Sequence, residues 1–258
     1  MINVIRVPAF SDNYLWLFHH SGSNRAYAVD PGDAQPIEKA LQEHGLTLAG
    51  ILVTHHHWDH TGGVDDLLKN RNIPVYGPHS NNIAQITHPL KDNEYLDLED
   101  GAMGFKVLEV PGHTLDHIAY FSDEARILFS GDTLFAGGCG RMFEGQPAQM
   151  QGSLARLAVL PEETAVYCAH EYTESNLAFA LAVEPENKDL VARVESVKQQ
   201  RARGEATVPS SIGVELKTNP FLRVAESSVI AAAEHHTGTR PSNNAESFAA
   251  VRGWKDNF

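Results

Sequence analysis

Thr54-His55-His56-His57-Trp58-Asp59-His60 is the stretch on which the reading of this chain turns. It follows an apolar, strand-like run at 50–53 and precedes a helical pattern beyond His60 that turns Val64, Leu67 and Leu68 inward. The end of a strand is rigid enough to aim side chains, and an irregular turn beyond it lets several converge. Side chains alternate along an extended segment, so His55 and His57 project to one side and His56 to the other. Asp59 and His60 come after the chain has turned and can face a second point nearby. Imidazole and carboxylate together suit zinc, iron or manganese better than calcium, which prefers oxygen ligands.

Three later signals extend the pattern. Pro111-Gly112-His113-Thr114 and Ser130-Gly131-Asp132-Thr133 each follow a strand-like run, and His170 follows another at Ala165–Cys168. Histidine or aspartate at a strand end, beside a turn, is how a scaffold delivers ligands to one rim. The candidates are His55, His57, Asp59, His60, His113, Asp132 and His170. They are too many for one tetrahedral ion. They divide between two if Asp132 bridges, with His55, His57 and His113 on one side and Asp59, His60 and His170 on the other. Two cations sharing a carboxylate can share a hydroxide, which acidifies water enough to make a nucleophile near neutral pH. Asp132 and Asp59 are then the candidate catalytic carboxylates, the second steering a proton. Asp12 and Asp30 read as turn residues or as acceptors behind the ligands, and His117 as strand-end packing or as support for a ligand; His19, His20, His56, His235 and His236 have no metal role by spacing. Cys139 and Cys168 read as packing residues.

Around these motifs the chain has 258 residues, enough for one large domain or one with a smaller helical attachment. Strand-like runs at 14–18, 26–29, 50–53, 73–76, 105–110, 118–121, 127–129 and 165–168 are separated by polar, glycine-rich turns. Asp33 can cap a helix that Gly45 ends, and a further helical stretch covers 148–160. This predicts an α+β architecture, two mostly mixed sheets covered by helices. Beyond His170 the texture becomes helical, at 174–182, 188–203 and 245–254, with no convincing strand. The expected organisation is a catalytic domain over 1–170 and a helical, substrate-binding domain over 171–258.

The formal net charge is -13, and 1–170 carries most of it. Nucleic-acid partners demand a basic footprint, so the balance argues against one. The chain has no 18-residue apolar run and no basic-then-apolar start, so neither a membrane partner nor export is expected and a cytoplasmic location is. Two cysteines fit a reducing compartment. A monomer is expected.

At His55-His56-His57-Trp58-Asp59-His60, with His113, Asp132 and His170 following, the sequence resembles the metallo-beta-lactamase superfamily. The resemblance implies an αββα sandwich with its metal site on one edge of the paired sheets. Further stretches are more specific: Gly137-Gly138-Cys139-Gly140-Arg141, Phe143-Glu144-Gly145, His170-Glu171-Tyr172-Thr173, Asn219-Pro220-Phe221-Leu222-Arg223 and Arg252-Gly253-Trp254-Lys255. With these, nearly the whole chain resembles the glyoxalase II, or hydroxyacylglutathione hydrolase, family. That resemblance implies hydrolysis of S-D-lactoylglutathione to D-lactate and glutathione, two divalent cations, most often zinc with iron or manganese as alternatives, and glutathione contacts from Arg141, Phe143, Tyr172, Arg252 and Lys255. Arg141 and Phe143 depart from the lysine and tyrosine of animal members. Arginine keeps the charge with a different hydrogen-bond geometry, and phenylalanine lacks the hydroxyl.

The expected chemistry is attack of a shared hydroxide on the thioester carbonyl. Thiols are acidic enough to leave without a dedicated acid. Competing readings are a persulfide dioxygenase of the same superfamily, with one iron and oxygen, and a metal-stabilised interaction protein without turnover.

Overall fold

Residues 1–258 are described by a computed structural model. The chain opens with an antiparallel hairpin of β1 (Ile2–Ala9) and β2 (Asn13–His20), registered from Ile2 against His20 to Ala9 against Asn13. β3 (Arg25–Val29) pairs antiparallel with β2, and the sheet then turns parallel through β4 (Thr47–Leu52), β5 (Val75–Pro78) and β6 (His88–Leu90). Parallel neighbours need crossovers, and helices supply the first two. α1 (Ala34–His44) joins β3 to β4; α2 (Trp58–Thr61) and α3 (Val64–Leu68) lie between β4 and β5. The six strands are ordered β1-β2-β3-β4-β5-β6.

α1 shows how local sequence sets these boundaries. Asp33 accepts the Gln35 N–H at 2.9 Å, satisfying one of the orphan donors of the first turn. Gly45, at φ 65°, ends the helix in the left-handed conformation that glycine adopts without steric cost. Ile37, Ala40 and Leu41 form its buried stripe.

β7 (Tyr95–Leu98), β8 (Met103–Glu109), β9 (Ile118–Ser122) and β10 (Ile127–Gly131) follow as an antiparallel run. Phe18 of β2 packs against Phe105 of β8 and Phe129 of β10, with ring centroids 5.2 and 5.4 Å apart, so the faces of the two sheets share an aromatic core. The remaining elements are the hairpin of β11 (Leu134–Phe135) and β12 (Gly138–Cys139), α4 (Pro147–Ala158), β13 (Ala165–Cys168), α5 (Thr173–Val183), α6 (Lys188–Ala202), β14 (Ser210–Ser211), α7 (Ile212–Thr218), α8 (Ser227–Thr237) and α9 (Asn244–Asp256).

By compactness the chain forms two units, Met1–Glu109 with Asp116–Gly131, and Val110–Leu115 with Asp132–Phe258. The first holds β1 to β10 and α1 to α3. The second holds α4 to α9, both short β-pairs and the segment carrying His113. Within the second unit α4 packs against α9. The expectation of no strand beyond His170 is corrected by β14, where Ser210 and Ser211 pair with Val166 and Ala165. Two serines have neither apolar periodicity nor strong strand preference. α7 and α8 are further elements that the sequence pattern does not predict. No helix is long and apolar enough to cross a membrane.

Candidate metal centre

Each unit carries its own cluster of buried histidine and aspartate. In the first unit, β4 ends at Leu52 and delivers Thr54 and His55 fully buried. His55 Nε2 and His57 Nδ1 stand 3.1 Å apart, as the alternation of side chains predicts. His56 points away and meets the Asp116 carboxylate at 2.9 and 3.0 Å. The sequence places Asp59 and His60 before the helix; they lie on it, because the four residues of α2 form the turn that follows the strand. His60 Nε2 is 3.5 Å from Asp59 Oδ2.

Hydrogen bonds around this cluster determine which ring nitrogens are left bare. Asp30 Oδ1 accepts the Thr54 N–H, and Asp30 Oδ2 accepts the Thr54 hydroxyl, both at 2.7 Å. With its one proton so used, Thr54 Oγ1 must accept from His55 Nδ1, 3.0 Å away. That leaves His55 Nε2 with a lone pair. Asp30 Oδ2 also lies 3.0 Å from His60 Nδ1. Asp30, a turn residue or an acceptor by its sequence, thus orients the candidate ligand His55 through Thr54 and lies at ion-pair distance from a second, His60. Its signal is its place directly after β3, in Asp30-Pro31-Gly32. Asn13 donates to Asp59 Oδ2 at 3.0 Å. His117, which the sequence leaves as strand-end packing or support for a ligand, is buried and stacks on His55, with ring centroids 4.6 Å apart.

In the second unit, Asp132 lies between two imidazoles. Its Oδ2 is 3.4 Å from His113 Nε2 and its Oδ1 is 3.4 Å from His170 Nε2, all three residues being buried. His113 Nδ1 donates to the Arg141 carbonyl at 2.7 Å, which turns Nε2 toward the carboxylate. Gly140 must be glycine: a Cβ there would stand 2.0 Å from the Asp132 carbonyl oxygen and 3.2 Å from His113 Nδ1. Tyr172 stacks on His170, with centroids 4.7 Å apart and planes within 6°.

These spacings fit a divalent cation. Two nitrogen or oxygen donors on one tetrahedral ion, each at roughly 2.0–2.1 Å, stand about 3.3–3.4 Å from one another. The separations of 3.4 Å on both sides of Asp132, and of 3.1 and 3.5 Å in the first unit, are of that size. All seven candidate ligands belong to groups of side chains able to hold an ion. The donor set, imidazole nitrogen with carboxylate oxygen, suits zinc, iron and manganese alike.

The expected glutathione contacts all lie in the second unit. Phe143 is 66 % exposed and sets its ring edge-on to His113 at 5.3 Å. Arg141 is exposed, with Nε 3.7 Å from Asp256 Oδ1. Lys255 Nζ donates to the Ser175 carbonyl at 3.1 Å, and burial pulls its ammonium pKa below the usual 10.5, helped by the charges of Arg252 and Arg141. Arg252 differs from these. It is 3 % exposed, and its guanidinium donates to Cys139 O at 3.2 Å and meets Asp256 Oδ1 at 3.0 Å.

Comparison with known proteins agrees with this architecture. Residues 16–170 match the family model of the metallo-beta-lactamase superfamily, and residues 171–258 match that of the hydroxyacylglutathione hydrolase C-terminus. A hydroxyacylglutathione hydrolase of Alkalilimnicola ehrlichii is 50% identical over 256 residues, covering 99% of each chain. One from Pseudomonas aeruginosa is 51% identical over 260 residues and covers 100% of each. Among solved structures, ETHE1 from Myxococcus xanthus superposes with a TM-score of 0.64 at 24% identity, over 99% of this chain and 98% of that one. TTHA1623 in a di-iron-bound form gives 0.61 at 27%, over 84% and 100%. The fold is thus the αββα metallo-beta-lactamase sandwich with a smaller helical region, α5 to α9, at its C-terminal end. Half identity over the full length extends the kinship beyond the fold, and the chain belongs to the hydroxyacylglutathione hydrolase family, as a metal-dependent hydrolase.

Proposed function

We propose that the chain hydrolyses S-D-lactoylglutathione to D-lactate and glutathione at a two-ion centre, with residues 1–170 carrying catalysis and 171–258 substrate binding. One ion is assigned to His55, His57 and His113, the other to Asp59, His60 and His170, with Asp132 shared. The observation that carries this reading is the Asp132 carboxylate, whose two oxygens each face a different imidazole at 3.4 Å. A carboxylate with a candidate ligand on each side could be shared by two ions. When bound, such ions supply Lewis acidity toward a carbonyl and a water acidic enough to ionise near neutral pH.

The residues of the chain then have distinct tasks. Asp132 and Asp59 orient the attacking water, and Asp59, itself held by Asn13, accepts its proton. His113 keeps Nε2 inward because Nδ1 is committed to Arg141 O. Arg141 and Lys255 meet the carboxylates of glutathione, while Phe143 and Tyr172 offer aromatic faces beside His113 and His170. Arg252, being buried, serves that surface through the Cys139 carbonyl and Asp256. The thiolate of glutathione leaves unaided, since thiols are far more acidic than alcohols. Neither cysteine competes as a nucleophile: burial pushes Cys139 up to about 11 and Cys168 up to about 12, leaving both protonated at neutral pH.

The decisive test is a steady-state assay of the metal-replete protein with S-D-lactoylglutathione, accompanied by elemental analysis. Turnover with two bound ions per chain is the expected result. A fully metallated protein that leaves glutathione thioesters intact would end this reading.

A further inference from the structure

The hairpin that begins two residues beyond Asp132 and ends at Cys139, two residues before Arg141, is held by its backbone. Asn219 Nδ2 donates to Gly138 O at 2.9 Å and to Phe135 O at 3.4 Å. Asn176 Nδ2 donates to Ala136 O at 3.2 Å, and Arg252 Nη1 to Cys139 O at 3.2 Å. The Gly137 N–H donates to Glu215 Oε2 at 2.8 Å. Side chains from α5, α7 and α9, and from Asn219 just beyond α7, thus grip five consecutive residues, 135 to 139. Glycine at 137 and 138 lets them in: a Cβ at Gly138 would stand 2.5 Å from the Asn176 amide carbon, and one at Gly137 2.7 Å from Leu177.

Glu215 is the hub of this grip. It is fully buried and accepts from four donors. Oε2 takes the Gly137 N–H at 2.8 Å and Asn219 Nδ2 at 2.9 Å; Oε1 takes Arg193 Nη2 at 2.6 Å and the Ser210 hydroxyl. Only an ionised carboxylate can accept all four, and an amide would turn an N–H toward two of them. The residues just beyond both ends of the hairpin reach candidate ligands. Gly140 N–H donates to Thr133 O at 3.2 Å, next to Asp132, and Arg141 O holds His113 Nδ1 at 2.7 Å.

We infer that Glu215 is a positioning residue for metal binding: by fixing the hairpin, it aims the Arg141 carbonyl at His113 and holds Asp132 against it. The inference rests on the two-ion reading above and assigns Glu215 a task within it. Nothing in the sequence marks Glu215, which lies far from every ligand along the chain.

The molecule provides its own control. Glu184 is also buried in the helical region and also pairs with an arginine, Arg223, at 2.7 and 3.1 Å, and with Ser228 at 2.6 Å, but no bond of it reaches the hairpin. Full-length wild type, Glu215→Gln and Glu184→Gln are loaded with zinc and compared in thermal melting, zinc retention against a competing chelator, and KM and kcat at saturating zinc. Both variants should melt lower. Only Glu215→Gln should lose zinc affinity, by about 10–100-fold as for other residues that orient a ligand, and raise KM, since Arg141 and Phe143 follow the hairpin. Wild-type zinc affinity in Glu215→Gln, or an equal loss in Glu184→Gln, would overturn the inference. If Glu215→Gln does not fold, Asn219→Ser, which removes the amide reaching Phe135 and Gly138, decides the same comparison. A wild-type chain with fewer than two ions would count against the two-ion reading alone, because the affinity ratio between variants is still measured on the ions it holds.

Discussion

Asp30 accepts the hydroxyl proton of Thr54 at 2.7 Å, and through that one bond it settles the tautomer of a neighbouring histidine. Thr54 Oγ1 has no second proton, so toward His55 Nδ1 it can only accept. The same Asp30 oxygen lies 3.0 Å from His60 Nδ1. Asp30→Asn isolates this effect. Asp30 sits at φ 49°, a left-handed conformation that asparagine tolerates, so the backbone should be spared. The amide can still accept the Thr54 N–H but not all three contacts. The expected outcome is a loss of metal affinity of about 10–100-fold with little change in melting temperature, read by chelator competition and calorimetry.

Removing the proposed bridge should be more severe. Asp132→Ala deletes both carboxylate oxygens that face His113 and His170. A folded chain whose kcat falls by on the order of 10²-fold or more is expected, the scale of losing a dedicated transition-state contact. Circular dichroism and a zinc-supplemented assay check the two halves of that statement. Near-normal turnover with bound metal would reject the role.

Lys255 should mark substrate binding rather than chemistry. Lys255→Met is expected to raise KM while leaving kcat nearly unchanged, since the contact is equal in ground and transition states. Its pH signature has a definite sign. Burial and the charges of Arg252 and Arg141 lower its pKa, so the free enzyme loses this charge at a lower pH than an ordinary lysine with 10.5 would. A bound carboxylate favours the ammonium and opposes that loss. The alkaline limb of kcat/KM should therefore fall before that of kcat, and the gap should close in the variant.

The two thiols make stability fall at high pH. Burial raises Cys139 from 9.0 to about 11 and Cys168 from 9.0 to about 12. The folded state then binds these protons more tightly than the unfolded chain. The stability they contribute is fully present below about pH 9 and is lost as pH rises through the folded values. Melting temperatures between pH 8 and 11 should decline, and Cys168→Ala should flatten the decline. At pH 8 a thiol reagent should label neither cysteine until the chain is unfolded.

The candidate metal ligands of the first run are legible in the sequence because their signal is local. A strand end followed by His55-His56-His57-Trp58-Asp59-His60 is contained within seven consecutive residues, and alternation alone separates His55 and His57 from His56. The bounds of α1 are legible for the same reason, since Asp33 and Gly45 cap it with their own side chain and backbone. What surrounds the ligands is not. Asp30 reads as a turn residue or an acceptor with no partner named, and only folding brings its carboxylate to Thr54 and His60. Glu215 is further removed: its bond to Gly137 spans 78 positions, and no periodicity or motif encodes such a distance. Arg252 has the helical spacing of a surface cation, yet packing buries it under the Cys139 carbonyl. Residue type and short spacing therefore tell which groups can bind a metal. Their tautomers, their second contacts and their exposure depend on neighbours remote along the chain, which only the three-dimensional packing brings within hydrogen-bond reach.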